Sequence, residues 1–198
     1  VLRAYNTTLN TIANFAGCRY LVTLDLSDNF ITEIQSNAFS NNQNLENLNL
    51  YRNRLADTHD FAFNMLSSLK TLNLGRNSGI NLPAGVFRFL TALREIHLEY
   101  CGLNTIDNSW FQNTTFLENL YLHVNPLGNL SANVFRNLPN LKILNLRSSE
   151  ITTLPANIFH YNTLLDNLNL EANRLTELSS GFFRNQTVLT TLRLSNNN

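Results

Sequence analysis

Apolar residues recur along this chain at one fixed spacing. In Leu21-Val22-Thr23-Leu24-Asp25-Leu26-Ser27-Asp28-Asn29, Leu24 and Leu26 alternate with polar neighbours, the pattern of a half-buried strand. The third leucine of that stretch has counterparts at Leu2, Leu50, Leu74, Leu98, Leu122, Leu146, Leu170 and Leu194, and the step between successive members never changes. A second marker keeps the same step of 24: Phe15, Phe39, Phe63, Phe87, Phe111, Phe135, Phe159 and Phe183. A fixed period of this length predicts a solenoid, because one unit cannot bury its leucines alone and stacking makes the core continuous.

The spacing predicts one domain over residues 1–198. An irregular first repeat (1–20) precedes regular repeats starting at 21, 45, 69, 93, 117, 141 and 165, and a partial repeat follows at 189–198. Each unit should supply one short strand to a parallel sheet of nine strands, roughly 40 Å long at ~4.8 Å per strand. The segment around each phenylalanine returns the chain along the back. After the strand comes a slot held by Asn29, Asn53, Asn77, Asn125, Asn173 and Asn197, where an inward amide satisfies backbone groups. Cys101 and Ser149 fill that slot elsewhere, and Tyr5 in the first unit. The first unit carries Leu9 and Ile12 where regular register would place Thr7 and Asn10, so its turn is expected to be distorted. Gly79-Ile80 and Thr58 mark two further departures, read as local turn variation. Neither end shows a capping unit, so the chain is expected to be a piece of something longer.

Composition narrows the partners. Acidic and basic residues balance at 14 each. That argues against nucleic acid or anionic membrane, which need surplus positive charge. No apolar run approaches the ~20 residues that span a bilayer, so no membrane insertion is expected within this segment. Cys18 and Cys101 lie too many strand spacings apart for a disulfide; Cys101 is expected to be a buried structural thiol. Trp110 should belong to the core, and His59 and His160 to solvated loops or the back.

With the leucine, asparagine and phenylalanine slots in hand, the sequence resembles the leucine-rich repeat family. Leu165-x-x-Leu168-x-Leu170-x-x-Asn173-x-Leu175-x-x-Leu178-x-x-x-x-Phe183 resembles its "typical" 24-residue unit. The plant-type Gly-x-Ile-Pro signature is absent, and the longer alternating units of ribonuclease inhibitors do not fit. The resemblance implies an α/β solenoid, a curved horseshoe with a concave parallel β-sheet and short helical or irregular convex segments. It also implies an extracellular (secreted or cell-surface) recognition module without enzymatic activity, such as the ligand-binding ectodomain of a receptor, adhesion or innate-immune protein. A protein ligand or co-receptor would be the partner, with a homo- or hetero-dimer possible. An intracellular scaffold or enzyme-regulator domain is the competing reading. The sequons at Asn6, Asn113, Asn129 and Asn185 are glycosylation candidates, although among 34 asparagines about five such triplets arise by chance.

Strict register lays the outward positions in columns. One runs Asp25, Asn49, Asn73, His97, Tyr121, Asn145, Asn169, Arg193; the next Ser27, Tyr51, Gly75, Glu99, His123, Arg147, Glu171, Ser195. A third runs Asp28, Arg52, Arg76, Tyr100, Val124, Ser148, Ala172, Asn196. His97, Glu99, Tyr100, Tyr121, His123, Val124 and Arg147 form one central patch rich in hot-spot residue types, the expected ligand-binding site. Glu99, His123, Arg147 and Glu171 are expected to form a ladder of alternating charge. Arg52 and Arg76 form a secondary basic patch. His97, Glu99 and His123 suit zinc by type, but an open sheet supplies no second shell, so neither a metal nor another cofactor is expected. No catalytic residues are assigned, because a broad sheet lacks a water-excluding pocket.

Overall fold

The computed structural model describes residues 1–12, 15 and 17–198. The strands are β1 (Leu2–Arg3), β2 (Thr23–Asp25), β3 (Glu33–Ile34), β4 (Asn47–Asn49), β5 (Asp57–Thr58), β6 (Thr71–Asn73), β7 (Glu95–His97), β8 (Asn119–Tyr121), β9 (Ile143–Asn145), β10 (Asn167–Asn169) and β11 (Thr191–Arg193). Nine of them form one parallel sheet in the order β1-β2-β4-β6-β7-β8-β9-β10-β11. From β2 to β11 the register advances by one full repeat per strand, for example Leu48 opposite Leu72 and Asn73 opposite His97. Leu24, Leu48, Leu72, Ile96, Leu120, Leu144 and Leu168 point inward and are buried.

The first step differs. Leu2 pairs with Leu24, and Ile12 bridges Ile34, so the register here falls two positions short of a full repeat. Ala4 therefore stands opposite Leu26. Thr7, not Tyr5, occupies the asparagine slot, where its N–H and hydroxyl both donate to Asn29 Oδ1 at 3.0 and 2.6 Å. The displaced Leu9 and Ile12 are thus in register with Ile31 and Ile34. By Phe15, which stacks on Phe39 at 6.4 Å, the full repeat is restored.

Two sequence departures have physical causes. Asn125 Oδ1 accepts from the Leu103 N–H, but Cys101 in the same slot offers no such acceptor to the unit before it. There Gly79 takes φ +86° and donates its N–H to the Cys101 carbonyl instead, which moves Ile80 one place along while keeping it buried. Ser149 likewise lacks that acceptor: Gly128, at φ +59°, donates to its carbonyl, while Leu127 keeps its regular slot and stays buried. Thr58 is strand, not loop variation. It pairs with Ile34 in the two-stranded sheet β3–β5 and donates its hydroxyl to Asn81 O at 3.0 Å.

No α-helix occurs among the described residues, so of the expected short helical or irregular convex segments the irregular form is the one present. The convex side is a succession of turns closed by i→i+3 bonds, such as Ala38 to Gln35, Asn42 to Phe39 and Leu45 to Asn42. A second polar ladder runs along it. Buried Asn42, Asn162 and Gln186 donate to main-chain carbonyls of the preceding unit. Beneath these turns the phenylalanine rings sit 6.0–6.4 Å apart. Strands repeat at ~4.8 Å. The units fan open toward the rings, so the sheet lies on the concave side. The outermost layers are less covered than the inner ones: Leu2, Phe15 and Leu189 are half-buried, and Leu192 and Leu194 are exposed.

Candidate binding surface

The residue type at each outward strand position has a structural default. Asp25, Asn49, Asn73, Asn145 and Asn169 each turn a side-chain oxygen back to accept the N–H two residues on, at 2.9–3.1 Å. This local bond holds the chain as it leaves the strand. At two consecutive units, β7 and β8, the default is abandoned for His97 and Tyr121, which face each other across the strands. Their rings stack at 4.5 Å and 16°. Neither ring makes the turn-closing bond that asparagine makes at this position.

His97 lies between two carboxylates on its own strand segment. Its Nε2 is 2.9 Å from Glu95 Oε1, and its Nδ1 is 3.5 Å from Glu99 Oε2. The other Glu95 oxygen accepts from Asn119 at 2.8 Å. Glu99 is only 8% exposed, because its carboxylate folds over Gly75. A Cβ on Gly75 would stand 2.5 Å from Glu99 Oε1. Burial works against a charged imidazole, yet the bonds and fields of Glu99 and Glu95 outweigh it and raise the His97 pKa. For Glu95 and Glu99, burial is likewise outweighed, by Asn119 and His97 in one case and mainly by His97 in the other, and both carboxyls are lowered. Burial, with Glu95 and Glu99 nearby, pushes the Tyr121 hydroxyl up. Burial, then Arg147, His97 and Arg76, outweighs the pull of Glu99 and lowers His123.

Glu95 and Asn119 were missed by the sequence columns. They belong to a fourth outward column, Thr23, Asn47, Thr71, Glu95, Asn119, Ile143, Asn167, Thr191. The alternation around Leu24 already implied it.

The expected ladder Glu99–His123–Arg147–Glu171 does not form. Glu99 pairs with His97, and the His123 ring meets Tyr100 edge-on at 5.8 Å. His123 Nδ1 is buried without a hydrogen-bond partner among the described residues. The charge ladder lies on the edge preceding the strands. There Glu46 pairs with Lys70 at 2.8 Å, and Glu118 takes Arg94 at 2.6 Å and Lys142 at 2.7 Å. The third column is not strand either. Asp28, Arg52, Arg76, Tyr100, Val124, Ser148, Ala172 and Asn196 all hold φ of 53–58° in the turn after each strand. Tyr100 and Val124 therefore rim the patch. A β-branched side chain is disfavoured in this region. Val124→Asn, which keeps the N–H bond to Arg147 O at 2.9 Å, is expected to raise stability by up to about 1 kcal/mol in urea unfolding.

The histidine–carboxylate cluster has a signed pH dependence. His97 is raised in the folded chain, so its contribution is full below the unfolded histidine pKa and is lost as pH rises through the folded value. Glu95 and Glu99 are lowered, so theirs is full above the unfolded carboxyl pKa and is lost as pH falls through the folded values. His97→Gln should cost up to about 1 kcal/mol near pH 5.5, since solvent screens the partly exposed pairs, and clearly less near pH 8.5. Urea midpoints across that range check it; a pH-independent difference would refute the charged pairing.

Sequence comparison places these units. Residues 19–59 and 43–103 match the leucine rich repeat family, and residues 80–198 match the family of BspA type leucine rich repeat regions (6 copies). The chain belongs to the leucine-rich repeat family. No curated protein matches it. Among solved structures it is similar to one described as the Toll–Spatzle complex, a molecular hub in Drosophila development and innate immunity. That match has TM-score 0.91 and 26% identity and covers 98% of this chain and 26% of the other. It is also similar to the TLR13–ssRNA13 complex, with TM-score 0.81, 30% identity, and 90% of this chain against 25% of that one. The chain thus spans about a quarter of the length of these structures.

As leucine-rich repeat slots, the remaining positions are simply placed. Cys101 is buried with its thiol donating to Leu74 O at 3.3 Å, and burial pushes its pKa up to about 12. Cys18 is exposed and is not bonded to the buried Cys101. Trp110 is buried against Phe87 and Phe111, while His59 and His160 are exposed. Asn6, Asn113 and Asn129 are exposed and Asn185 half-buried, all outside the strands of the main sheet. Both His97 nitrogens already face carboxylates, and no group of three or more His, Cys, Asp or Glu among the described residues could hold a metal ion.

Proposed function

We propose that this leucine-rich repeat segment is a protein-recognition module of an extracellular or cell-surface protein, and that it binds through the concave patch centred on His97 and Tyr121. The observation that carries this reading is the break in the asparagine column. Five units keep a side chain that stabilises the turn; of the four that do not, Arg3 and Arg193 lie in the two outermost strands, and the two interior ones are adjacent and present stacked rings. Residues that break a local stabilising rule mark the places where function competes with the fold. Glu95, Glu99, Tyr100, His123, Val124 and Arg147 surround them with mixed charge and apolar area, the composition of a hot-spot cluster. No chemistry beyond binding is assigned to the patch.

Likeness to a Toll ectodomain seen with Spatzle supports a protein ligand and the extracellular placement. The second neighbour is a complex with RNA. Zero net charge and the carboxylates inside the patch favour protein over phosphate here. Glycans at Asn6, Asn113, Asn129 and Asn185 would leave the patch clear.

Tyr121→Asn tests the reading cleanly, because asparagine restores the default side chain. Stability should be unchanged or higher, while capture of the natural partner by the full-length protein falls at least about ten-fold. Equal capture by the variant would refute the patch. Secretion of the full-length product, with a mass shift on removing N-glycans, separates this reading from an intracellular scaffold.

A further inference from the structure

The turn column carries a second feature, on the edge of the sheet rather than on its face. Arg52 and Arg76 occupy equivalent turns in adjacent units, at φ 53° and 56°, fixed by N–H bonds to Gly75 O and Glu99 O at 2.8 Å each. Left-handed turns favour Asn, Asp or Gly, and nothing in the backbone asks for arginine there. The two like charges splay apart. Arg52 turns to Asp28 at 3.1 Å, and Arg76 lies over the Tyr100 ring at 4.2 Å.

A shallow hollow opens between them, lined by Arg52, Arg76, Ser78, Tyr100, Gly102 and Val124. Its floor approaches backbone closely: a Cβ on Gly102 would meet the Gly79 nitrogen at 3.3 Å. Among the described residues Arg76 has no carboxylate partner. Arg54, in the same unit as Arg52, is likewise held over the Phe30 ring at 4.4 Å and not by an acid. A guanidinium stacked on an aromatic face is oriented, and its edge N–H groups stay free for a planar oxyanion.

We propose that this hollow is a second binding site, taking a carboxylate from an acidic segment of a protein partner between Arg76 and Arg52. A phosphate chain is the poorer fit. Few charges are available for counterion release. The adjoining concave face also carries Glu95 and Glu99, which repel a long polyanion that continues across it but not a short acidic segment seated at the edge. The site lies beside the His97–Tyr121 patch and centres on different residues, although Tyr100 and Val124 border both.

The test uses the full-length protein and a fluorescent hexaglutamate peptide, read by anisotropy at low salt. Binding should weaken about ten-fold in Arg76→Gln and several-fold in Arg52→Gln. It should be unaltered in Arg174→Gln, an exposed arginine paired with Glu150 at 3.1 Å. Tyr121→Asn should leave hexaglutamate binding intact, which keeps this site's failure distinct from that of the concave patch. Absence of binding, or equal loss in Arg174→Gln, overturns the proposal. Stronger competition by inorganic phosphate or a six-nucleotide RNA than by unlabelled peptide overturns the carboxylate assignment.

Discussion

Asn125→Ala is expected to cost about 4 kcal/mol of stability, although the change removes no apolar contact of consequence. The side chain is 1% exposed and makes four bonds to main chain. Its Oδ1 accepts from Cys101 N at 3.0 Å and Leu103 N at 3.1 Å, and its Nδ2 donates to Leu98 O at 2.8 Å and Leu122 O at 2.7 Å. Two units are stitched together through one amide. Alanine strands these groups away from water, and each buried unsatisfied group costs roughly 1–3 kcal/mol. Partial relaxation and an entering water keep the total below the sum. Urea unfolding measures the loss, and hydrogen exchange localises it. Amides of Cys101 and Leu103 should lose protection while those of β2 and β4 keep theirs, because a solenoid's stability is a sum of near-neighbour terms. A loss under about 1 kcal/mol would mean that the asparagine slot is decoration.

The period is legible in the sequence because leucine and phenylalanine are the residues that must stack on copies of themselves. It misleads where two registers share a marker. Leu2 lies one full period before Leu26 and two positions less than that before Leu24, and only the structure decides for Leu24. The clue was present, since Leu9 and Ile12 are both displaced by two. Turn chemistry was less legible. The apolar spacing around each phenylalanine suits a helix as well as it suits a run of i→i+3 turns. The Gly79 shift depends on Cys101, a full unit later in the chain.

The site was partly legible for the same reason. Strict register puts His97 beside Tyr121, and the structure agrees. Register gives adjacency, not pairing. Glu99 could reach either imidazole, and the choice of His97 over His123 depends on the space above Gly75 and on where Glu95 holds the ring. Glu95 escaped because its column opens with Thr23, Asn47 and Thr71, which show no chemistry until the seventh strand.

The second large effect is expected at Phe87. It is fully buried, stacked between Phe63 at 6.4 Å and Phe111 at 6.3 Å, with Trp110 edge-on at 6.1 Å. Phe87→Ala should cost about 4 kcal/mol, from lost transfer energy plus the cavity that remains after the neighbours have closed in part-way. Phe87→Leu should cost less than half of that, since it refills most of the volume. The ring also spaces the convex side. Rings 6.3–6.4 Å apart hold the back of each unit wider than the ~4.8 Å of the strands, and that difference is the curvature. A cavity at Phe87 lets the backs of neighbouring units approach and flattens the sheet around β6 and β7. Partner binding by Phe87→Ala, measured well below its unfolding transition, should therefore fall although no residue of the concave patch has changed. If the variant loses stability as expected yet binds like the wild type, the ring ladder stabilises the solenoid without setting the shape of its binding face.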